Sequence, residues 1–399
     1  MAAWRAHELG ADVTVFEKTN RIGTKILISG GGKCNITHDG PLEDVLKAFR
    51  PNEARFIRPA CYRFPPPRIV EMLTSRGLRV YTREDGRIFP IDQTAKDVVA
   101  ILQGYLEGVR IRFNTPVARI LRDEDGLTAI ELKDGTRETF DAVILTVGGA
   151  SYPNSGTTGD GWPWAAELGH TIVPLKAALA PILTDPEPQE GWPGVALRNV
   201  FLKGRNQGKE VVRWRGDLLF THHGISGPAT LGISRVIAEH GTDCTLDIDL
   251  MPDHTFEQMA ELFQRWQQEN PKREIKTWLA ELVPAKLVSE VLQRAEATPE
   301  HPLPQLAKKT RNRLTEVLKR FEIGRAKEVV YLKGEVVAGG VALNEVDPHT
   351  MASLVCPRLY LAGEVLDVAG PVGGYNLQAA WATGFVAGES ATNALLGTS

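Results

Sequence analysis

Small and apolar residues recur at helical spacing at the start of the chain (Ala2, Ala3, Ala6, Leu9), and Gly10 stops the run. Asp12-Val13-Thr14-Val15-Phe16 follows as a short buried strand ending on Glu17. Helix, tight turn, strand and terminal acid are the second half of a dinucleotide-binding βαβ unit. The first half would be an apolar strand and a GxGxxG turn whose amides hold a pyrophosphate at a helix N-terminus. The expectation is that Met1 is an alternative start and that upstream codons encode this half.

Further along, the pattern predicts helices over Leu42–Phe49, Pro67–Arg76 and Thr94–Leu106, with a hairpin over Arg79–Ile91 turning at Asp85-Gly86. Short strands are expected at Val109–Phe113, Val117–Leu121, Ala129–Leu132 and Thr139–Val147, the last delivering Gly148-Gly149 to a ligand crevice. Five prolines (Pro174, Pro181, Pro186, Pro188, Pro193) then break the periodicity and mark a domain crossing. Beyond them come strand-like pieces at Ala196–Leu202, Glu210–Trp214 and Cys244–Leu250. Thr255-Phe256-Glu257-Gln258 reads as a capping box, followed by the helical stripe Phe256, Met259, Leu262, Phe263 and Trp266. Near Gly339 the pattern returns to strands, turns and a glycine-opened helix. An α/β nucleotide-binding domain split by an insert explains this order. Its parts are residues 1–173 and 336–399, with an insert over 174–335 whose helices occupy about 255–325.

Composition narrows the class. A length of 399 residues suits two or three domains. Forty-six basic against 49 acidic residues leave a net charge of −3, so no chain-wide attraction to nucleic acid or lipid is expected. Cys34, Cys61, Cys244 and Cys356 form no CxxC and no metal-ligand spacing, which suits reduced thiols in a cytoplasmic protein without a metal. No apolar run approaches a membrane span, and no signal pattern opens the chain.

Three constellations carry chemistry. Glu17, at the end of a strand, can accept ribose hydroxyls of an adenine dinucleotide. In Gly23–Asn35, the consecutive Gly30, Gly31 and Gly32 let backbone amides approach a phosphate or flat ring. Cys34 follows Lys33 where a P-loop needs Ser or Thr, so an NTPase is not indicated. Cys34 reads first as a packed thiol, with a catalytic role as the other reading. Near the C-terminus, the strand Leu359-Tyr360-Leu361 runs into Gly363-Glu364 and Asp367. Gly373-Gly374-Tyr375-Asn376-Leu377 then opens a helix whose N-terminal dipole suits a ring that accumulates negative charge.

With these blocks the chain resembles the BaiN-like flavoproteins, which include aminoacetone-oxidase-type and ribosomal-RNA dihydrouridine-synthase-type members. The resemblance rests on Lys25–Thr37, Gly86–Pro90, Gly148–Gly161, Leu218–Leu231 and Gly339–Gly384. It implies a Rossmann-like, glutathione-reductase-type FAD domain interrupted by a β-barrel and helical insert. It implies FAD contacts at Glu17, Lys18, Lys25, Ser29, Gly30, Gly31, Gly32, Lys33, Cys34, Asn35, Val117, Gly148, Gly149, Gly363, Glu364, Asp367, Gly373, Gly374, Tyr375, Asn376 and Leu377. His222, at the family's motif position in Leu219–Pro228, could face the flavin as a proton donor or simply fix its loop. Tyr375 is a further catalytic candidate, and Tyr152 and Asn154 are weaker ones.

The implied activity is hydride transfer between flavin N5 and a carbon centre. The leading form is reduction of an activated C=C bond such as that of uridine in rRNA, with NAD(P)H as a transiently docked donor. Oxidation of a small amine such as aminoacetone is the enzymatic alternative, and a non-enzymatic FAD protein that binds RNA or a partner is the other. The segment 302–327 bears on this choice. Its eight basic residues (Lys308, Lys309, Arg311, Arg313, Lys319, Arg320, Arg325, Lys327) stand against Glu316 and Glu322, a surface for RNA phosphates or a solvated helix face.

Overall fold

The computed structural model describes residues 1–123, 126–241, 243–269 and 272–397. The chain forms two compact units, residues 1–175 with 335–399, and residues 176–334.

In the first unit, Ala2–Glu8 is helical and packs on the C-terminal helix Tyr375–Leu396. Small residues permit the approach: a Cβ on Gly384 would lie 3.3 Å from that of Met1, and one on Gly388 would collide with the Ala2 carbonyl. Thr14–Phe16 pairs in parallel with Arg110–Arg112, and Val143–Leu145 in parallel with Leu359–Leu361, as two separate two-stranded ladders. The hairpin predicted about Asp85-Gly86 forms between Val80–Thr82 and Arg87–Pro90, and Thr37–His38 extends it to three strands. Helix Ala95–Gly104 starts on Thr94, whose side chain accepts from Lys96 N while Asp97 caps the Thr94 amide.

One local expectation is corrected, and one helix is added. The strand expected over Thr139–Val147 is two pieces: Arg137–Thr139 pairs antiparallel with Ala129–Glu131, and Val143–Leu145 joins Leu359–Leu361 after a break at Asp141. The structure adds a helix over Pro51–Arg63, on which the sequence pattern carried no expectation, with Pro59 inside it. Its buried face (Phe56, Ile57, Ala60, Cys61) offsets the lost hydrogen bond.

The second unit is built on a closed six-stranded antiparallel barrel, in the order Ile182–Asp185, Gly224–Ser226, Lys209–Phe220, Ala196–Asn206, Cys244–Asp249 and Phe321–Val329. Leu202, Phe220, Ile248 and Phe321 fill its core. The helices Phe256–Glu269, Ile275–Leu282, Ala285–Arg294 and Lys308–Lys319 bury Phe263 against Trp278, with ring centroids 4.6 Å apart. The capping box forms as read: Gln258 Oε1 accepts from Thr255 N at 2.8 Å, and Thr255 Oγ1 from Gln258 N at 3.2 Å.

Candidate functional site

A continuous track of polar groups and glycine turns crosses the first unit. At one end, Glu17 follows the strand Thr14–Phe16, and its carboxylate accepts from Thr19 N and Thr19 Oγ1, each at 2.7 Å. Thr115 N donates to the Glu17 carbonyl at 3.0 Å, which brings the start of the strand Val117–Asp123 beside it. Lys18 bonds Thr158 and, at 2.6 Å, Asp160. Gly159 N donates to Gly149 O at 2.8 Å, and so links this end to the glycines that follow Val143–Leu145.

The middle is a charged knot. Lys25, on the helix Thr24–Ile28, donates to Glu364 Oε2 and, at 3.0 Å, to Ser151 Oγ. The other oxygen of Glu364 accepts from Val337 N at 3.0 Å. Gly149 must lack a side chain here, since a Cβ would stand 2.6 Å from Glu364 Oε1. Gly363 donates its amide to Thr383 Oγ1 at 3.0 Å, and Asp367 Oδ1 accepts from Gly339 N at 2.9 Å.

At the far end, Gly30, Gly31 and Gly32 have φ of +56°, +67° and +86°, a left-handed run that other residues resist. Asn35 ties this loop to the start of the C-terminal helix: its side-chain oxygen accepts from Gly374 N at 2.8 Å, and its nitrogen donates to Thr37 O at 3.1 Å. Gly374 (φ +88°) lies so close to Thr37 that a Cβ would be 2.6 Å from the Thr37 carbonyl. Asn376 closes the turn 370–376 by bonding both the amide and the carbonyl of Gly370, at 2.8 and 2.9 Å. Tyr375 stacks on His38, a residue the sequence reading did not single out, and burial, then Asp85, raises its phenol pKa above the ordinary value.

The residues expected to hold FAD therefore fall on one path, from Glu17 and Lys18 through Gly148, Gly149, Glu364 and Lys25 to the Gly30–Asn35 loop and Gly373–Leu377. The path fits the cofactor. A Cβ on Gly31 would meet nothing within 4 Å, and one on Gly363 only Ala380 at 3.8 Å, so the backbone there borders open space. Ile28, Val147 and Tyr152, beside these turns, leave 45%, 40% and 41% of their surface exposed, apolar edges suited to a ring system.

The catalytic candidates separate. Of the two readings of Cys34, the structure favours the packed thiol over the catalytic one: it is fully buried, and burial pushes its pKa up to about 11 against a lowering bond to Ser29. His222 is exposed, on the turn between Lys209–Phe220 and Gly224–Ser226 of the second unit. Cys34 and Tyr375 both lie on the path in the first unit, Cys34 as a packed thiol and Tyr375 with its hydroxyl 3.1 Å from His38 Nε2.

Within the basic segment, one residue is corrected. Lys319 is not surface charge: it is buried, 2.8 Å from Asp249, and also donates to the carbonyls of Met251 and His254. Arg313, Arg320 and Arg325 pair with Glu296, Glu322 and Asp185, while Lys308, Lys309 and Lys327 are exposed. Among the described residues no helix is long and apolar enough to cross a membrane.

Residues 1–390 match the family described as the HI0933-like protein Rossmann domain. The chain belongs to this family. It is 30% identical over 382 residues to a ribosomal RNA dihydrouridine synthase of Haemophilus influenzae, covering 95% of this chain and 92% of the relative. It is likewise 30% identical over 386 residues to a 3-dehydro-bile acid delta(4,6)-reductase of Clostridium scindens, covering 96% and 93%. Among solved structures, a 3-ketosteroid-delta4-(5alpha)-dehydrogenase from Rhodococcus jostii aligns with a TM-score of 0.46 and 16% identity, over 98% of this chain and 94% of that one. As a member of the HI0933-like family, the protein is an FAD-dependent oxidoreductase.

Proposed function

We propose that the reaction is the reduction of a carbon–carbon double bond conjugated to a carbonyl, with a uracil ring of ribosomal RNA as the substrate. The observation that carries this reading is the shared chemistry of the two relatives. One is named for making dihydrouridine and the other for a reductase acting at steroid positions 4 and 6, each matched along more than nine-tenths of the chain.

When bound, FAD supplies a two-electron hydride donor at N5. The chain's residues do the rest. Glu17 suits the adenosine ribose, since a carboxylate at a strand end accepts from two neighbouring hydroxyls. Lys25, held by Glu364 and Ser151, places a cation midway along the path where negative charge is accommodated. The left-handed run Gly30–Gly32 lets main-chain amides face the ring edge, and the N-terminus of Tyr375–Leu396 adds its dipole. The electron donor of this reading is NAD(P)H, docked transiently rather than held in a second dinucleotide-binding module. Exposed Lys308, Lys309 and Lys327 of the segment 302–327 are the groups left to meet RNA phosphates. Action on ribosomal RNA would place the enzyme in the cytoplasm.

Mass spectrometry of ribosomal RNA from cells lacking the gene tests the proposal. A dihydrouridine lost with the gene and restored by its return is expected. An unchanged dihydrouridine content would overturn the RNA assignment.

A further inference from the structure

His38 lies at the end of the two-residue strand Thr37–His38, and its ring stacks on that of Tyr375 with centroids 4.5 Å apart and 21° between planes. His38 Nδ1 is 3.0 Å from the carbonyl oxygen of Gly373, which can only accept, so Nδ1 carries the hydrogen. Nε2 is then the lone-pair nitrogen, and the Tyr375 hydroxyl, 3.1 Å away, donates to it. One backbone carbonyl thus sets the tautomer, and the tautomer sets the direction of the phenolic proton.

The packing admits little else. A Cβ on Gly86 would lie 2.5 Å from His38 Nε2, and one on Gly373 would lie 2.6 Å from Tyr375 Cε2 and 3.4 Å from His38 Nδ1. Phe49 closes on Tyr375 edge-on, at 6.1 Å. The short strand is strapped to the C-terminal helix by Thr37 Oγ1 donating to Gln378 Oε1 at 2.7 Å, and by Trp381 Nε1 donating to Ile36 O at 3.0 Å. The Tyr375 phenol, partly buried and with a fixed partner, lies next to the Gly30–Asn35 loop through the Asn35–Gly374 bond.

We propose that Tyr375 is the proton donor of the reduction and that His38 is the positioning residue that aims it and restores its proton. The proposal rests on the double-bond reduction above. One substrate carbon gains a hydride, with its electron pair, from reduced FAD. The π electrons of the double bond pass to the other carbon, which takes the Tyr375 proton. The O–H bond breaks with its electrons staying on the phenol oxygen. A solvent proton taken up at His38 Nε2 then returns the tyrosinate to phenol, so the protein ends as it began.

The test compares FAD-loaded wild type, Tyr375→Phe and His38→Gln, each reduced anaerobically with dithionite and mixed with ribosomal RNA from cells lacking the gene. Rates are taken per bound FAD, so that any change in FAD content of the variants does not enter the comparison. Flavin oxidation by the RNA should slow at least about 100-fold in Tyr375→Phe and about 10-fold in His38→Gln, in the range of a lost general acid. A Tyr375→Phe rate within about twofold of wild type would overturn the assignment. A second readout does not depend on turnover. In an ultraviolet titration, with the Tyr375 signal taken as wild type minus Tyr375→Phe, the phenol midpoint should fall in His38→Ala, since the Nε2 bond stabilises the protonated form. An unmoved midpoint would overturn the pairing. If wild-type reduced flavin is not oxidised by the RNA, the RNA reading fails by itself and the titration decides the pair.

Discussion

Lys25 and Glu364, 339 positions apart in sequence, form one ion pair, and the second oxygen of Glu364 holds the amide of Val337. The pair joins the helix Thr24–Ile28 to the segment that follows Leu359–Leu361, so two distant glycine turns keep a common geometry.

Glu364→Ala removes the carboxylate bonded to the Lys25 ammonium, leaving it the Ser151 hydroxyl and the nearby Glu335 charge, and leaves the Val337 amide without its acceptor. A charged hydrogen-bonding group is worth about 1.5–3 kcal/mol, so the variant should hold FAD at least about tenfold more weakly. Glu364→Gln should fall between, because the amide oxygen can still accept from Val337. Equilibrium dialysis of FAD against both variants checks the order.

Lys319 and Asp249 make a second test. Both are nearly excluded from solvent, at 9% and 6% side-chain exposure, and Lys203 also approaches Asp249, at 3.4 Å. Removing one partner of a buried pair costs about 3–5 kcal/mol, so Lys319→Ala should strongly lower the urea midpoint of the second unit. Changing Lys308, Lys309 and Lys327 together to Glu should leave that midpoint near wild type and weaken RNA association, with a flatter salt dependence.

His170 gives the chain an acid sensitivity. It is buried; its Nδ1 lies 3.0 Å from a Glu345 oxygen, and Ser353 Oγ donates to Nε2 at 2.8 Å, the arrangement of a neutral ring. Burial lowers its pKa below the ordinary 6.5, against the opposing pull of Glu345. The unfolded chain therefore takes up the proton first on acidification. The stability that His170 contributes is present above about pH 6.5 and is lost as the pH falls below it. Urea midpoints at pH 7.5 and 5.5 should drop more in wild type than in His170→Gln.

Much of this site was legible in the sequence because glycine at positive φ is a residue-level requirement. Gly30–Gly32, Gly148, Gly363 and Gly373-Gly374 all occupy such conformations. The capping box at Thr255 and the hairpin at Asp85-Gly86 were legible for the same reason: each is decided within a few residues. What was missed depends on partners far away. His38 has nothing around it in sequence to mark it, and its role comes from Gly373 and Tyr375, more than 330 positions later. Lys319 looks like one more surface charge until Asp249 and two carbonyls enclose it. The barrel strand Lys209–Phe220 runs beyond its apolar centre because much of it faces solvent.

The most direct measurement is the identity of the flavin. Protein expressed from its native gene should purify yellow; denaturing it and chromatographing the released cofactor should give FAD, close to one per chain. A carboxylate at Glu17 suits an adenine-side ribose, which FMN lacks, so the account expects the dinucleotide. FMN alone, or folded protein with no flavin at all, would contradict the account.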